Sequence, residues 1–512
     1  MTSLLTSPAR DRLRAPRATP SNAIVLAIIL ACQLMIVLDV SIVITALPKI
    51  HGDLAFSPTG LSWVQNAYTL TFGGLLLLGA RAGDILGRRR MFMAGIALFT
   101  AASLAGGLAQ SAGWLLAARA VQGIGAAIAA PATLALLTIT FREGHERIRA
   151  VAAYSAVSAG GGSVGLVLGG MLTTWASWRW GLFINVPIGI ALICLAPRCL
   201  PETERHAGRF DLTGAVTSTL GMTALVYGFV RAAADGWGER GTLASFAAGT
   251  ALLTAFVLAE RRAEQPITPL RLFASRERSG AYLARLLLVA GNFSAFFFLT
   301  QYLQGALGFS ALQAGLAFLP MTIAMFATIR VVPRIAARVG DAWLLIGGLV
   351  LALAGMAWLT RISAGMEFFP QIAVPLTIFG AGTGIAFGPL TSAGLAGVAP
   401  SDAGAASGML NVSQQLGGSL GLGILVTVFA AASGSVHDTL SGVASQVQAR
   451  DDLAHAVAAA LTGSTAFLVV AVAVVIAVMQ PARATAALDE AMPAGAVAGD
   501  RYATESLATV EL

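Results

Sequence analysis

The feature that most constrains this chain is the recurrence of long stretches with no charged residue. No Asp, Glu, Lys or Arg falls between Arg149 and Arg179. None falls between Arg285 and Arg330, an interval long enough for two helices and a short turn near Gly305–Ser310. A helix needs about 20 apolar residues to cross ~30 Å of hydrocarbon, and stretches of that scale follow one another along the 512 residues. The runs are continuous, unlike the alternating segments of about ten residues that build a membrane barrel, so they predict helices. Turn signals and charges together place fourteen of them near 22–47, 58–80, 91–109, 113–140, 150–172, 180–199, 212–231, 242–260, 281–303, 311–332, 342–360, 369–392, 405–430 and 458–479. The expected fold class is therefore an all-α integral membrane protein. Charged residues make up 11% of the chain, against about 25% in soluble domains. That excludes an ordinary cytosolic enzyme, a disordered protein and a disulfide scaffold. Cys32, Cys194 and Cys199 all fall in apolar runs without a CxxC pattern, as small core residues do.

Basic residues set the orientation. Of the 32 Lys and Arg, Arg119 and Arg285 sit within helices, and Lys49, Arg179, Arg231, Arg240, Arg361 and Arg450 fall in odd-numbered connections. All the others lie in the N-tail, the even-numbered connections and the C-tail. The bias puts both termini in the cytoplasm, with the protein in the cytoplasmic membrane. It also accounts for the net charge of +7 without nucleic acid, since the arginines are scattered over short loops and interleaved with acids. Arg10, Arg12, Arg14 and Arg17 precede an apolar run that is too long for a signal peptide and lacks a small-residue cleavage site. The segment beyond about Pro481 is Ala-rich with scattered acids, a C-tail.

Of the 25 acidic residues, Asp39 alone lies deep inside a predicted span; the histidines (His51, His145, His206, His437, His455) fall in loops or at a helix start. A charged side chain at that depth costs at least about 2.5–3.5 kcal/mol and calls for a partner or a role. A site that gains and loses a proton is the functional reading; a structural pair orienting the first helix is the other. Arg119, in the first turns of the fourth helix, sits at a compatible depth. Burial favours the neutral acid and a guanidinium favours the carboxylate, so a group poised between them can respond to an approaching cation.

Several motifs stand in order along the helices. The first carries Leu38-Asp39-Val40 and ends Ala46-Leu47-Pro48; the second opens Trp63-Val64-Gln65-Asn66-Ala67-Tyr68. The loop after it reads Gly83-Asp84-Ile85-Leu86-Gly87-Arg88-Arg89-Arg90. The fourth helix carries Arg119-Ala120-Val121-Gln122-Gly123-Ile124-Gly125. Trp178-Arg179-Trp180 and Ile184-Asn185-Val186-Pro187-Ile188-Gly189 follow the fifth. In this order the chain resembles the major facilitator superfamily, in particular its fourteen-span bacterial drug:proton antiporters, from about Asn22 to Gln480. It departs from that pattern at Ile85, where the loop motif usually has arginine, and at Leu166, where the helix-5 motif usually has a proline that kinks the helix.

The resemblance implies two six-helix bundles, 22–200 and 281–480, with a linker of two extra transmembrane helices over 201–280 and cytoplasmic tails at 1–21 and 481–512. A degenerate echo of the loop motif, Arg334 to Asp341, stands where the second half should repeat it. Asp39 and Arg119 are the expected proton-coupling pair. Asp84, Gly87, Arg88 and Arg89 are expected to gate, with Asp84 latching onto the start of the thirteenth helix near Ala405. Gly165, Gly169 and Gly170 would let the fifth helix pack closely and slide. Substrate would bind between the halves near mid-membrane, and the candidate liners are Gln33, Gln65, Asn66, Asn292, Phe297, Gln301, Tyr302, Asn411, Gln414 and Gln415. Each of the polar ones can equally be an interhelical hydrogen bond.

The expected function is proton-coupled export of hydrophobic or amphipathic small molecules such as antibiotics, dyes or natural products. Its partners are protons, the lipid bilayer and the small-molecule substrate, with a monomer as the functional unit and no cofactor or metal. Export or flipping of a lipid or endogenous metabolite on the same fold is the alternative. A membrane enzyme lacks the pieces: no intramembrane His, metal-ligand cluster or deep acid pair is present. No P-loop for ATP is present either. A passive facilitator would not accumulate substrate against a gradient.

Overall fold

A computed structural model describes residues 22–57, 59–141, 145–202, 210–263, 266, 268–398, 402–433 and 443–479; both expected tails lie outside these. Among the described residues the fold is all helix, without a strand. The helices are α1 Asn22–Leu54, α2 Trp63–Leu86, α3 Arg88–Gly107, α4 Ala112–Thr140, α5 His145–Trp175, α6 Trp180–Phe183, α7 Asn185–Cys199, α8 Leu212–Asp235, α9 Arg240–Arg262, α10 Arg276–Gly305, α11 Ala311–Ala317, α12 Leu319–Val339, α13 Asp341–Leu359, α14 Ala373–Leu395, α15 Ala403–Ala432 and α16 Val443–Met479. Among the described residues, thirteen segments are long and apolar enough to cross a membrane, with α6–α7 forming one and α11 with the first part of α12 another. The 31-residue α5 stands beside them, packed against α1.

Several boundaries differ from the charge-spaced expectation, among them the ends of α2 and α12 and the start of α10; two of them show why. α1 runs through Pro48 to Leu54 and stops where Ala55 takes a positive φ of 50°. α16 starts at Val443, well before residue 458, and carries Arg450, Asp451 and Asp452 within it. Charge marks where apolar surroundings end, whereas a helix continues into water as long as its backbone bonds are made.

The ends of the bundle differ in charge. The C-terminal ends of α2, α4 and α7 lie together at one end, here called the arginine-rich end, and α1 finishes at the other. Residues of small volume set the helix spacing, which in lipid is a main source of helix association. A Cβ on Gly79 of α2 would stand 2.0 Å from the carbonyl oxygen of Ala127 in α4. In the second half, one on Gly382 of α14 would stand 2.2 Å from the Ala352 nitrogen of α13.

One apolar core runs the length of α10–α16, from Ala281, Leu390 and Val475 to Leu299, Leu303, Phe318 and Phe429, and takes in Val43, Leu47, Leu61, Leu166 and Trp178 of the earlier helices at the arginine-poor end. A second core, built on Ile29, Met35, Phe92, Phe99, Leu136 and Leu192, belongs to the first half alone and lies toward the arginine-rich end. The contacts of α5 with the second half run from Thr174, whose Oγ1 accepts the Leu312 N–H at 3.2 Å, to Ser163, whose hydroxyl donates to Thr322 at 2.7 Å. Gln304 of α10 donates to the Thr45 carbonyl of α1 at 3.1 Å. α8 touches both halves: Thr219 meets Gly74 of α2, and Val226 meets Gly423 of α15.

Candidate functional site

Asp39 is fully buried at the meeting point of α1, α2, α3, α4 and α7. Its Oδ2 accepts from Arg119 Nη1. Its Oδ1 accepts from Gln122 Nε2 and from Asn185 Nδ2, both at 2.9 Å. Both amides also reach the Ser103 hydroxyl oxygen, at 2.5 and 3.0 Å. Arg119, itself without exposed surface, donates from Nε to the Val64 carbonyl at 3.0 Å and from Nη1 to Gln122 Oε1 at 3.0 Å, and lies 4.4 Å over the Tyr68 ring. Coulomb attraction at low dielectric offsets the desolvation of such a pair only when further hydrogen bonds satisfy both partners. Gln122, Asn185 and Val64 supply them for the carboxylate and for Arg119 Nε and Nη1.

The periodicity of α4 makes the arrangement possible, since Arg119 and Gln122 stand three residues apart on one face. The break at Ile184 between α6 and α7 puts Asn185 at the head of α7, aimed at α1. Sequence reasoning singled out Asp39 and Arg119 but not Gln122, Asn185 or Ser103. The first two stand inside the quoted motifs, and a carboxamide deep in an apolar helix was the signal that could have found them.

Not every polar atom around the pair has a protein partner. Arg119 Nη2, Asn185 Oδ1, the Tyr68 hydroxyl, Gln65 Oε1, Thr100 Oγ1 and both amide atoms of Asn66 are buried without one. Leaving such a group bare costs about 1–3 kcal/mol.

The expected substrate liners separate. Gln33 bridges to α5, donating to Ser158 at 2.9 Å and accepting from the Tyr154 hydroxyl at 2.7 Å. Gln65 donates to the Val40 carbonyl at 3.1 Å. Phe297 is buried edge-on to Phe298, and the Tyr302 hydroxyl donates to the Ser363 carbonyl at 2.7 Å. The contacts of Gln33, Gln65 and Tyr302 tie α10 or α1 to other elements, and Phe297 lies in the apolar core. Gln301 lines a cavity of about 1140 Å³ at the arginine-poor end, walled by Lys49, Asp53 and Trp178 on one side and by Phe309, Phe429 and Asp452 on the other. Its Nε2 and the Oδ1 of Asn292 lack protein partners. Asn411 is exposed and donates to the Ser407 carbonyl of its own helix. Gln415 packs its Cβ toward Gly73, and Gln414 accepts from Arg285 at 3.0 Å.

At the α2–α3 turn, Asp84 accepts from Arg88 at 2.9 Å; among the described residues it has no hydrogen bond to α15. Arg89 lies 3.4 Å from Glu202 beyond α7 and donates to the Leu200 carbonyl at 3.2 Å. Gly87 has φ +102°, and a Cβ there would stand 2.6 Å from the Glu202 carboxylate, so this turn excludes a side chain twice over. Gly165 and Gly169 pack against Ser41 and Ile42 of α1, whereas Gly170 meets Ala311 and Leu312 of α11. At the arginine-poor end, Trp178 donates to Asp53 at 2.8 Å and Arg179 donates to the Ala109 carbonyl at 2.9 Å.

Residues 29–422 match the Major Facilitator Superfamily. The cephamycin export protein CmcT of Amycolatopsis lactamdurans is 41% identical over 426 residues, covering 82% of this chain and 88% of that one. The puromycin resistance protein pur8 of Streptomyces alboniger is 43% identical over 408 residues, covering 79% and 81%. Among solved structures, a bacterial homologue of the human lysosomal transporter Spinster overlays with a TM-score of 0.62 at 17% identity, covering 90% of this chain and 98% of that one. The nucleoside transporter NupG gives 0.60 at 11%, covering 89% and 99%. Likeness at such identities speaks to the fold.

Proposed function

Because the chain belongs to the major facilitator superfamily, we propose that it exports antibiotics or related hydrophobic and amphipathic molecules across the cytoplasmic membrane, driven by protons moving through Asp39. The observation that carries the reading is the Asp39–Arg119–Gln122–Asn185 cluster: a carboxylate sealed among five helices of a transporter fold, with its charge matched. The names of the antibiotic export and resistance relatives support the cargo. In this reading α5 is the fourteenth span, α8 and α9 are the inserted pair, and both termini are cytoplasmic.

Protonation of Asp39 removes the attraction that holds Arg119 and frees the guanidinium to swing or to meet another anion. The partnerless atoms of Asn66, Tyr68, Gln65 and Asn185 are suitable contacts for ordered water, which bridges two to four polar groups. They give a proton a route to the carboxylate. The halves then rock, parting at the arginine-poor end where a core now joins them.

Asp39→Asn should abolish efflux driven by a pH gradient in inverted vesicles while membrane insertion persists. Substrate-driven proton release equal to that of the wild-type chain would overturn the coupling assignment. Efflux by the wild-type chain that survives a protonophore would do the same.

A further inference from the structure

Arg285 is the second intramembrane cation, and the reading above gives it no task. It lies nine residues into α10, about 13 Å along the helix axis from its start, and is 8% exposed. Its Nη1 donates to Thr391 Oγ1 of α14 at 2.9 Å and its Nη2 to Gln414 Oε1 of α15 at 3.0 Å. The Phe387 ring sits 4.8 Å below it. All three neighbours are neutral. Nε is buried without an acceptor, and among the described ion pairs Arg285 has no carboxylate.

The contrast with Arg119 is chemical. Arg119 has a buried carboxylate; Arg285 has a hydroxyl, a carboxamide and a π face. A buried guanidinium without a counter-charge is among the costlier groups a membrane protein can hold, and two neutral acceptors leave most of its five N–H donors unused. The surroundings are not sealed. Asn411 stands three residues before Gln414 on the same face of α15, and Gly388 stands three before Thr391 on the same face of α14; both are exposed. Exposed surface thus lies within one helical turn of both acceptors of Arg285, which is itself 8% exposed.

We propose that Arg285, with Gln414 and Thr391, binds the anionic head of an amphiphile, a carboxylate or a phosphate, through its unused N–H groups. Arg forks suit such planar or tetrahedral oxyanions. The apolar remainder lies along α10 and α14, where Phe387 offers a ring face. This names a substrate class for the export reading and rests on it, yet binding measured without a gradient separates the two. The same chemistry is carried by an exported organic acid and by an anionic lipid.

The test uses the full chain in an uncharged maltoside detergent, with pyrenebutyrate and its neutral methyl ester as fluorescent probes. The wild-type chain should bind the acid at least about tenfold more tightly than the ester, the range of one charge-assisted hydrogen bond. Arg285→Gln should erase the preference and keep the ester affinity, and Arg285→Lys should retain part of it. Gln414→Glu supplies a resident carboxylate; it should raise the thermal unfolding temperature and erase the preference, which covers the case in which Arg285→Gln does not fold. Equal affinity for both probes in the wild-type chain, or a preference that survives in Gln414→Glu, overturns the proposal. Displacement of pyrenebutyrate by phosphatidylglycerol but not phosphatidylcholine assigns the site to bilayer lipid; displacement by soluble organic acids alone assigns it to cargo. If the anion binds while wild-type vesicles transport nothing, the export reading fails and the site stands.

Discussion

In the export reading a single carboxylate, with both oxygens occupied, carries the coupling chemistry. Its weakest support is the easiest to remove. Asn185→Ala deletes one donor to Asp39 and leaves Ser103 without that amide, so it should cost about 1–3 kcal/mol. It should also slow efflux driven by a pH gradient, because Asp39 loses one of the donors that hold it in place. Thermal unfolding and the initial rate of efflux read the two effects; a rate identical to wild type would show that Asn185 only packs. Asp39 and Arg119 were legible from charge alone, since depth makes an ionisable residue conspicuous. The roles of Gln122 and Asn185 depend on rotation about α4 and on the break before α7, which a count of apolar residues does not reveal. Phe297 and Tyr302 illustrate the opposite failure: an aromatic or phenolic side chain in a helix reads alike whether it faces a cavity or a neighbouring helix.

At the scale of the helix, close approach decides what is tolerated. Gly170 of α5 lies against α11, and a Cβ there would come within 2.5 Å of the Ala311 carbonyl oxygen. Gly170→Leu should therefore separate α5 from α11 and cut transport at least about tenfold, while Gly113→Leu, where nothing lies within 4 Å, should leave it unchanged. The α8–α9 turn gives a pH prediction. Glu239 is held down from 4.5 to about 2 by the hydrogen bond from Arg231, then by backbone N–H groups of Gly241 and Thr242. A lowered acid contributes above its unfolded value and is lost as the pH falls through its folded one. The cap on α9 should persist at pH 4 and fail only toward pH 2, and Glu239→Gln should remove this dependence. Hydrogen exchange of the Thr242 amide, corrected for the intrinsic rate, follows it; loss of protection already at pH 4 would contradict the assignment. Helix positions were readable because charges recur at membrane spacing, whereas the ends of α1 and α16 were not, because a helix does not stop where lipid does.

Over the whole molecule, the apolar core of α10–α16 takes in the earlier helices at the arginine-poor end, while the core toward the other end of α1–α7 is their own. In the export reading, the arginine-poor end must part to release cargo. A Thr174→Cys/Leu312→Cys pair, in a chain whose Cys32, Cys194 and Cys199 are replaced, should form a disulfide under mild oxidant. It should halt efflux and be rescued by reductant. Efflux that continues while the bond is intact would show that α5 and α11 stay together throughout.

α8 rests on α2 through Thr219 and on α15 through Val226, each against a glycine. A beam seated on two moving blocks cannot follow both. Whenever the blocks tilt, one of these seats must slip, and bulk added at Gly74 or Gly423 chooses which. The inserted pair would then act as a brake on the turnover cycle, one whose grip is tuned by a methyl group and felt as a rate without any contact to cargo or proton.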